Sequence, residues 1–160
     1  GYELDLNLLS DAEIETVKKQ IAFMKENREL IQMDGDFYRL LSPFEGNETA
    51  WMVVSSDKTQ AVAAFYQRLN KVNASWLRLK LDGLDANTKY EVSCDMAPVT
   101  SYDAKIAEAY GHKTDEDSVK TYQAYGDELM SAGIPIDREE LNKKGGDFAS
   151  LLYTLKKVDE

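Results

Sequence analysis

Residues Asp36–Ser55 read DFYRLLSPFEGNETAWMVVS. Two runs rich in aromatic and β-branched side chains, Phe37–Ser42 and Ala50–Ser55, flank Pro43, Gly46 and Asn47, which favour turns. This is a strand–turn–strand signature, and the strand pattern continues downstream. Ala61–Leu69 follows a break at Asp57, and Trp76–Leu81 alternates Leu77, Leu79 and Leu81 with Arg78 and Lys80. Asp82-Gly83 then turns the chain, and Tyr90, Val92 and Cys94 line one face of a further strand. Phe148–Leu155, preceded by Gly145-Gly146, reads as the last strand. Short strands at this spacing predict a mainly β chain, an antiparallel β-sandwich or barrel. Ala97–Tyr125 reads as an insertion or long connection, with helix-like composition over Ala104–Tyr110 and a polar, charged stretch after it.

Upstream the periodicity is helical. Ser10 and Glu13 form a capping box, and Asp11 places negative charge at the positive helix end. Ile14, Val17, Ile21, Met24 and Ile31 recur at helical spacing, predicting a helix over Ser10–Gln32 of roughly six turns, closed by Asp34-Gly35. The stripe spans fewer than four heptads, which favours packing on a larger body over a coiled-coil seam. Ahead of it, GYELDLNLL alternates Tyr2, Leu4 and Leu6 with Glu3 and Asp5, a short strand. Strand followed by helix is a unit of a parallel α/β layer and cannot bury its own faces alone. The domain boundary falls near Met33–Gly35, dividing the chain into 1–33 and 34–160.

The 160 residues suffice for about one domain, and 43% hydrophobic with 30% charged residues fits a folded protein. Twenty-nine acidic residues face 19 basic ones, a net charge of −10, which disfavours nucleic acid and anionic membrane surfaces. No apolar run approaches the ~20 residues of a membrane span, and no signal peptide is visible, so a soluble, cytoplasmic protein is expected. The chain starts at Gly1 rather than Met, so further sequence is expected upstream. Cys94 and His112 are the sole cysteine and histidine. They cannot form an internal disulfide or a Cys/His zinc site. Asp115, Glu116 and Asp117 lack the glycine and spacing of a Ca²⁺ loop and read as solvated surface.

Chemistry-bearing patterns are scarce. His112 lies between Gly111 and Lys113 in the polar insertion and Cys94 on a strand, which suits a surface histidine and a buried structural cysteine better than a catalytic pair. GHKTD lacks the spaced glycines of a phosphate loop. The sequons at Asn47 and Asn73 read as coincidence without a secretion signal. Trp51 is expected in the core. Trp76 could stack on a sugar if exposed, but a core or interface role is the simpler expectation.

The order GYELDL, capped helix, IQMDGDFYRLLSPFEGNETAWMVVS, LRLKLDGLD, GDELMSAGIPI and a closing GDF strand resembles the C-terminal end of bacterial α-galactosidases of glycoside hydrolase family 36. The likeness is strongest in FYRLLSPF, AWMVVS and GDELMSAG and weakest between Met96 and Gln123. It implies a parent enzyme that releases terminal α-galactose from oligosaccharides such as raffinose and melibiose by the two-carboxylate retaining mechanism. It also implies that Tyr2–Leu6 and the following helix are the last strand and helix of a (β/α)8 barrel, and that 34–160 is the C-terminal β domain. The family's catalytic aspartates lie in K-W-D and S-C-x-x-G-G-G motifs, neither of which occurs here. SCDMAPVTSYD shares only Ser-Cys with the second, so Asp95 and Asp103 receive no acid/base role. No catalytic residue, metal or cofactor is therefore expected, and the substrate-binding residues are left unassigned. The partners implied are the parent's catalytic barrel, its α-galactoside substrate and further copies in a homo-oligomer. A carbohydrate-binding β-sandwich module is the alternative, with Trp76 as its sugar platform. A plain interaction domain that self-associates through the helix stripe is a third.

Overall fold

The computed structural model describes residues 3–73, 76–95, 120–136, 141 and 147–159. The strands among them are β1 (Asp36–Leu41), β2 (Glu48–Val54), β3 (Gln60–Gln67), β4 (Arg78–Leu79), β5 (Lys89–Asp95), β6 (Lys120–Tyr125), β7 (Ile134–Pro135) and β8 (Ala149–Lys157). The opening stretch forms the predicted hairpin, with Asp36 opposite Val54 and Tyr38 opposite Met52. β3 continues the meander, and the described strands form a six-stranded sheet in the order β1-β2-β3-β8-β5-β6 with every pairing antiparallel. β8 enters between β3 and β5, placing Leu151 beside Phe65 and Leu155 beside both Ala61 and Val92.

Two-residue alternation sends Ala50, Met52, Val54, Ala61, Ala63, Phe65, Tyr90, Val92, Leu151, Tyr153 and Leu155 to one face, all of them buried. That face is covered by the short β4–β7 ribbon and by α2 (Gly126–Ser131), through Leu79, Ile134 and Leu129. The opposite face is covered differently. Trp51, Val53, Val62 and Leu152 meet Phe23 and Leu30 from the N-terminal helical region. Burial from both sides explains why AWMVV in β2 reads as a continuous apolar run.

α1 (Asp11–Glu26) begins with the predicted box: the Ser10 amide donates to Glu13 Oε2 at 2.8 Å, and the Glu13 amide to Ser10 Oγ at 3.4 Å. The regular helix of the expected Ser10–Gln32 span is interrupted after Glu26, and helical backbone then resumes and ends in a π-helical turn, Leu30–Asp34. The break falls at Asn27, whose amide and side chain both donate to the Phe23 carbonyl, at 3.0 and 2.9 Å, while its backbone leaves helical geometry. Gly35 closes the turn because a Cβ there would strike the Leu30 carbonyl and the Val53 methyl.

The strand expected over Tyr2–Leu6 is not formed by its described residues. Residues 3–5 have no regular structure, and Leu6–Leu8 is a 3-10 turn capped by Asp5, whose carboxylate accepts from the Asn7 amide at 3.0 Å. A strand needs a neighbour for its backbone groups, and among the described residues no strand pairs with this segment. Three further expectations change. Trp76–Leu81 pairs over Arg78–Leu79 alone. The stretch read as a connection ends in a true strand, β6, in which Tyr122 and Ala124 face the same side. Trp51 is half-buried on the face opposite the main core, its ring stacked on Phe37 at 6.0 Å.

Asn47 illustrates why one sequon is structural. It is buried, its side chain donates to the Leu69 carbonyl at 2.7 Å and accepts from the Leu69 amide at 3.0 Å, and it pins the β1–β2 turn to the end of β3.

Candidate functional site

A cleft of about 640 Å³ opens where β5 begins and β6 and β8 end, lined by Asn87, Thr88, Lys89, Tyr125, Lys157, Val158 and Asp159. The register makes it: Lys89 lies opposite Tyr125, and Tyr90 opposite Lys157. Backbone groups at its floor are already paired, with the Val158 amide on the Lys89 carbonyl at 2.9 Å and the Gly126 amide on the Thr88 carbonyl at 2.9 Å. The side chains left to meet a ligand are a tyrosine ring, two ammonium groups, an amide and a carboxylate. These can hydrogen-bond and stack, as a binding groove does. Among the described residues Asp159 is the one carboxylate in the lining, whereas glycoside hydrolysis takes two flanking the scissile bond. Among the described residues no group of His, Cys, Asp or Glu is placed to hold a metal ion.

Beneath the cleft, Tyr90 is fully buried and ties two turns together. Its hydroxyl donates to the Lys58 carbonyl at 2.7 Å and accepts from the Asp85 amide at 3.1 Å. Burial pushes its phenol above the ordinary value of 10.0, and partial desolvation pushes Tyr122, which is still 40% exposed, up to about 12 against the pull of Arg78. A raised phenol pKa means that the unfolded chain ionises first. The stability held by the neutral rings is therefore complete below about pH 10 and is lost as pH rises toward about 12. Alkaline titration followed by circular dichroism should show unfolding in that window, and Tyr122→Phe should move its onset upward. An unchanged onset in the variant would remove Tyr122 from this account.

The residues singled out from sequence do not converge. Cys94 is buried on β5, Trp76 is exposed beside β4, and Trp51 lies under the N-terminal helical region. Asp95 lies in β5 opposite Leu152. Asp103, His112, Asp115, Glu116 and Asp117 lie outside the described residues. Sequence reasoning missed Tyr125 and Lys157, since strands far apart in the chain bring them together. The two-residue alternation in TYQAY, Thr121–Tyr125, was the available sign of β6.

Comparison with known proteins agrees with this architecture. The family model described as Glycosyl hydrolase family 36 C-terminal domain matches residues 48–155. Alpha-galactosidase AgaA of Geobacillus stearothermophilus is 39% identical over 160 residues, covering 100% of this chain and 18% of AgaA. A crystal structure of AgaA in complex with raffinose superposes with a TM-score of 0.74 at 39% identity, over 99% of this chain and 18% of that one. The alpha-galactosidase of Lactobacillus brevis gives 0.72 at 36% identity, over 100% and 18%. The chain thus spans about a fifth of the length of the relatives it matches. On the strength of the family match, carried on an antiparallel sheet of the same form, the chain belongs to the glycosyl hydrolase family 36 C-terminal domain family.

Proposed function

We propose that this chain is the C-terminal, non-catalytic part of a cytoplasmic α-galactosidase. The parent enzyme releases terminal α-galactose from oligosaccharides such as raffinose and melibiose with retention of configuration. The observation that carries this reading is full-length superposition on AgaA at a TM-score of 0.74, together with coverage of 18% of that enzyme. Catalytic carboxylates then belong to the remainder of the parent. In this reading residues 1–33 are the last strand and helix of a catalytic barrel and 34–160 the β domain that braces it.

Exposed apolar surface supports that division. α1 contains no buried residue, and Leu4, Leu6, Leu8, Ile21, Met24 and Met33 are exposed around it. Such surface costs about 25 cal/mol per Å² while uncovered. Barrel neighbours would bury it and would offer residues 3–5 a strand to pair with. The reading includes assembly of the parent into a homo-oligomer.

A chimaera in which this chain replaces the matching C-terminal fifth of AgaA tests the proposal. Melibiose hydrolysis by the chimaera, with none by the isolated chain, is the expected result. Turnover by the isolated chain that disappears on Asp159→Asn, or a folded but inactive chimaera, would overturn it. The carbohydrate-module reading draws on the exposed Trp76 ring and predicts raffinose binding by the isolated chain that is lost in Trp76→Ala.

A further inference from the structure

We infer that Asp82 is a site of covalent self-modification: its side chain closes on the Gly83 amide to form a succinimide, which water reopens to leave isoaspartate in the main chain. In the closure the Gly83 nitrogen bonds to Asp82 Cγ and gives up its proton, while Cγ releases its hydroxyl, so that a molecule of water leaves. Water then adds to either imide carbonyl. Attack at Cγ restores aspartate, whereas attack at the former Asp82 main-chain carbonyl leaves the main chain running through Cβ and Cγ. The net change is an isomerisation that consumes nothing.

The turn between β4 and β5 brings the reacting groups together. The Gly83 amide donates to Asp82 Oδ1 at 2.7 Å, and the carbon to be attacked is bonded to that oxygen. Gly83 has a φ of 75° and no side chain to shield its nitrogen, and Asp82 is exposed to water. The turn is held from both sides, since the Asp82 amide donates to Met52 Sδ at 3.2 Å and the Leu81 amide to the Leu129 carbonyl at 3.1 Å. Holding reactants in place in this way replaces the search that a flexible chain must make. Two other positions separate the ingredients. Asp34-Gly35 is the same dipeptide with an exposed aspartate, but Asp34 ends the π-helical turn, where amides are directed back toward preceding carbonyls. Asp127–Glu128 has the approach, with the Glu128 amide donating to Asp127 Oδ1 at 2.7 Å, but that nitrogen carries a full side chain and belongs to the first turn of α2. Among the described residues only Asp82-Gly83 combines the close amide with the glycine.

The modification bears on the core. Isoaspartate lengthens the main chain by a carbon between Leu81 and Leu84, which are each 4% exposed and belong to the same cluster as Met52 and Leu129. Interiors are close-packed, so a longer link cannot keep both leucines seated and the Met52 contact made. Gly83 also has no room to shift toward β1, because a Cβ there would already strike the Tyr38 ring. The β4–β7 cover of the sheet is therefore expected to loosen as the chain ages, lowering the thermal midpoint by a few degrees.

Ageing the full chain for weeks at physiological temperature and pH, in buffer and in parallel in urea, tests this. Trypsin then releases Asp82 in the 81–89 peptide and Asp34 in the 29–39 peptide, and electron-transfer fragmentation reads isoaspartate at each. In the folded chain isoaspartate at 82 should exceed that at 34 several-fold, and it should form faster than in urea, where the two sites should become equal. Asp82→Glu, which can close only a six-membered ring, should remove the signal from the 81–89 peptide, with circular dichroism verifying the fold. The isoaspartyl fraction of the unsubstituted chain should melt a few degrees below the fresh protein. No isoaspartate at 82, equal yields at 82 and 34 in the folded chain, or faster formation at 82 in urea would overturn the inference. An isoaspartyl fraction that melts with the fresh protein would overturn its consequence for the core.

Discussion

Phe65→Ala will destabilise the chain by about 3–5 kcal/mol, lowering the thermal midpoint on the order of 10 °C. Phe65 is fully buried on β3 with Ala50 and Leu151 as its neighbours across the sheet. The surrounding inner face is rich in alanine, at Ala50, Ala61 and Ala63. A methyl group cannot swing into a vacated ring site, so the cavity stays open and the full penalty applies. Phe37→Ala is the control. That ring is exposed on the opposite face and rests on Trp51, and its loss should cost about 1 kcal/mol. Urea denaturation of both variants checks the contrast, and equal losses would refute the assignment of Phe65 to the centre of the core.

Gly126→Ala should cost roughly 3 kcal/mol, at the upper end of overpacking, even though it adds one methyl group. A Cβ at this position would fall on the Asp85 carbonyl and press on the Tyr90 ring. The carbonyl cannot turn aside, because it accepts from the Thr88 amide at 3.2 Å while the Asp127 amide holds Ala86 at 3.1 Å. Relief therefore requires α2 to separate from the turn before β5. Hydrogen exchange should show Gly126 and Asp127 losing protection before the β2–β3 pair does. A variant as stable as the parent would show that this contact yields.

Much of this architecture was legible locally. The aromatic and β-branched runs around Pro43–Asn47 specify a hairpin because their turn chemistry and two-residue period agree. Ser10 and Glu13 specify a helix start because both partners of the cap lie within one turn. Tyr90, Val92 and Cys94 are buried together for the same reason of period. The resemblance carried by FYRLLSPF and GDELMSAG pointed to the family that the full-length comparison then showed.

Other features depend on residues far apart in the chain. Whether GYELDL becomes a strand is decided by the presence of a neighbour, and its period cannot supply one. Trp51 has the same local signature as a core residue, yet its face of the sheet is covered by Phe23 and Leu30 rather than by the main core. The cleft at Lys89, Tyr125 and Lys157 exists because β8 pairs with both β3 and β5. Sequence alone determined where the chain turns, which positions alternate, and that no known catalytic motif of the family is present. The tertiary structure decided which strands are neighbours, which face each apolar row meets, and where rings are left in solvent. Local periodicity is set by backbone geometry over a few residues, whereas burial is settled by whatever distant segment arrives to exclude water.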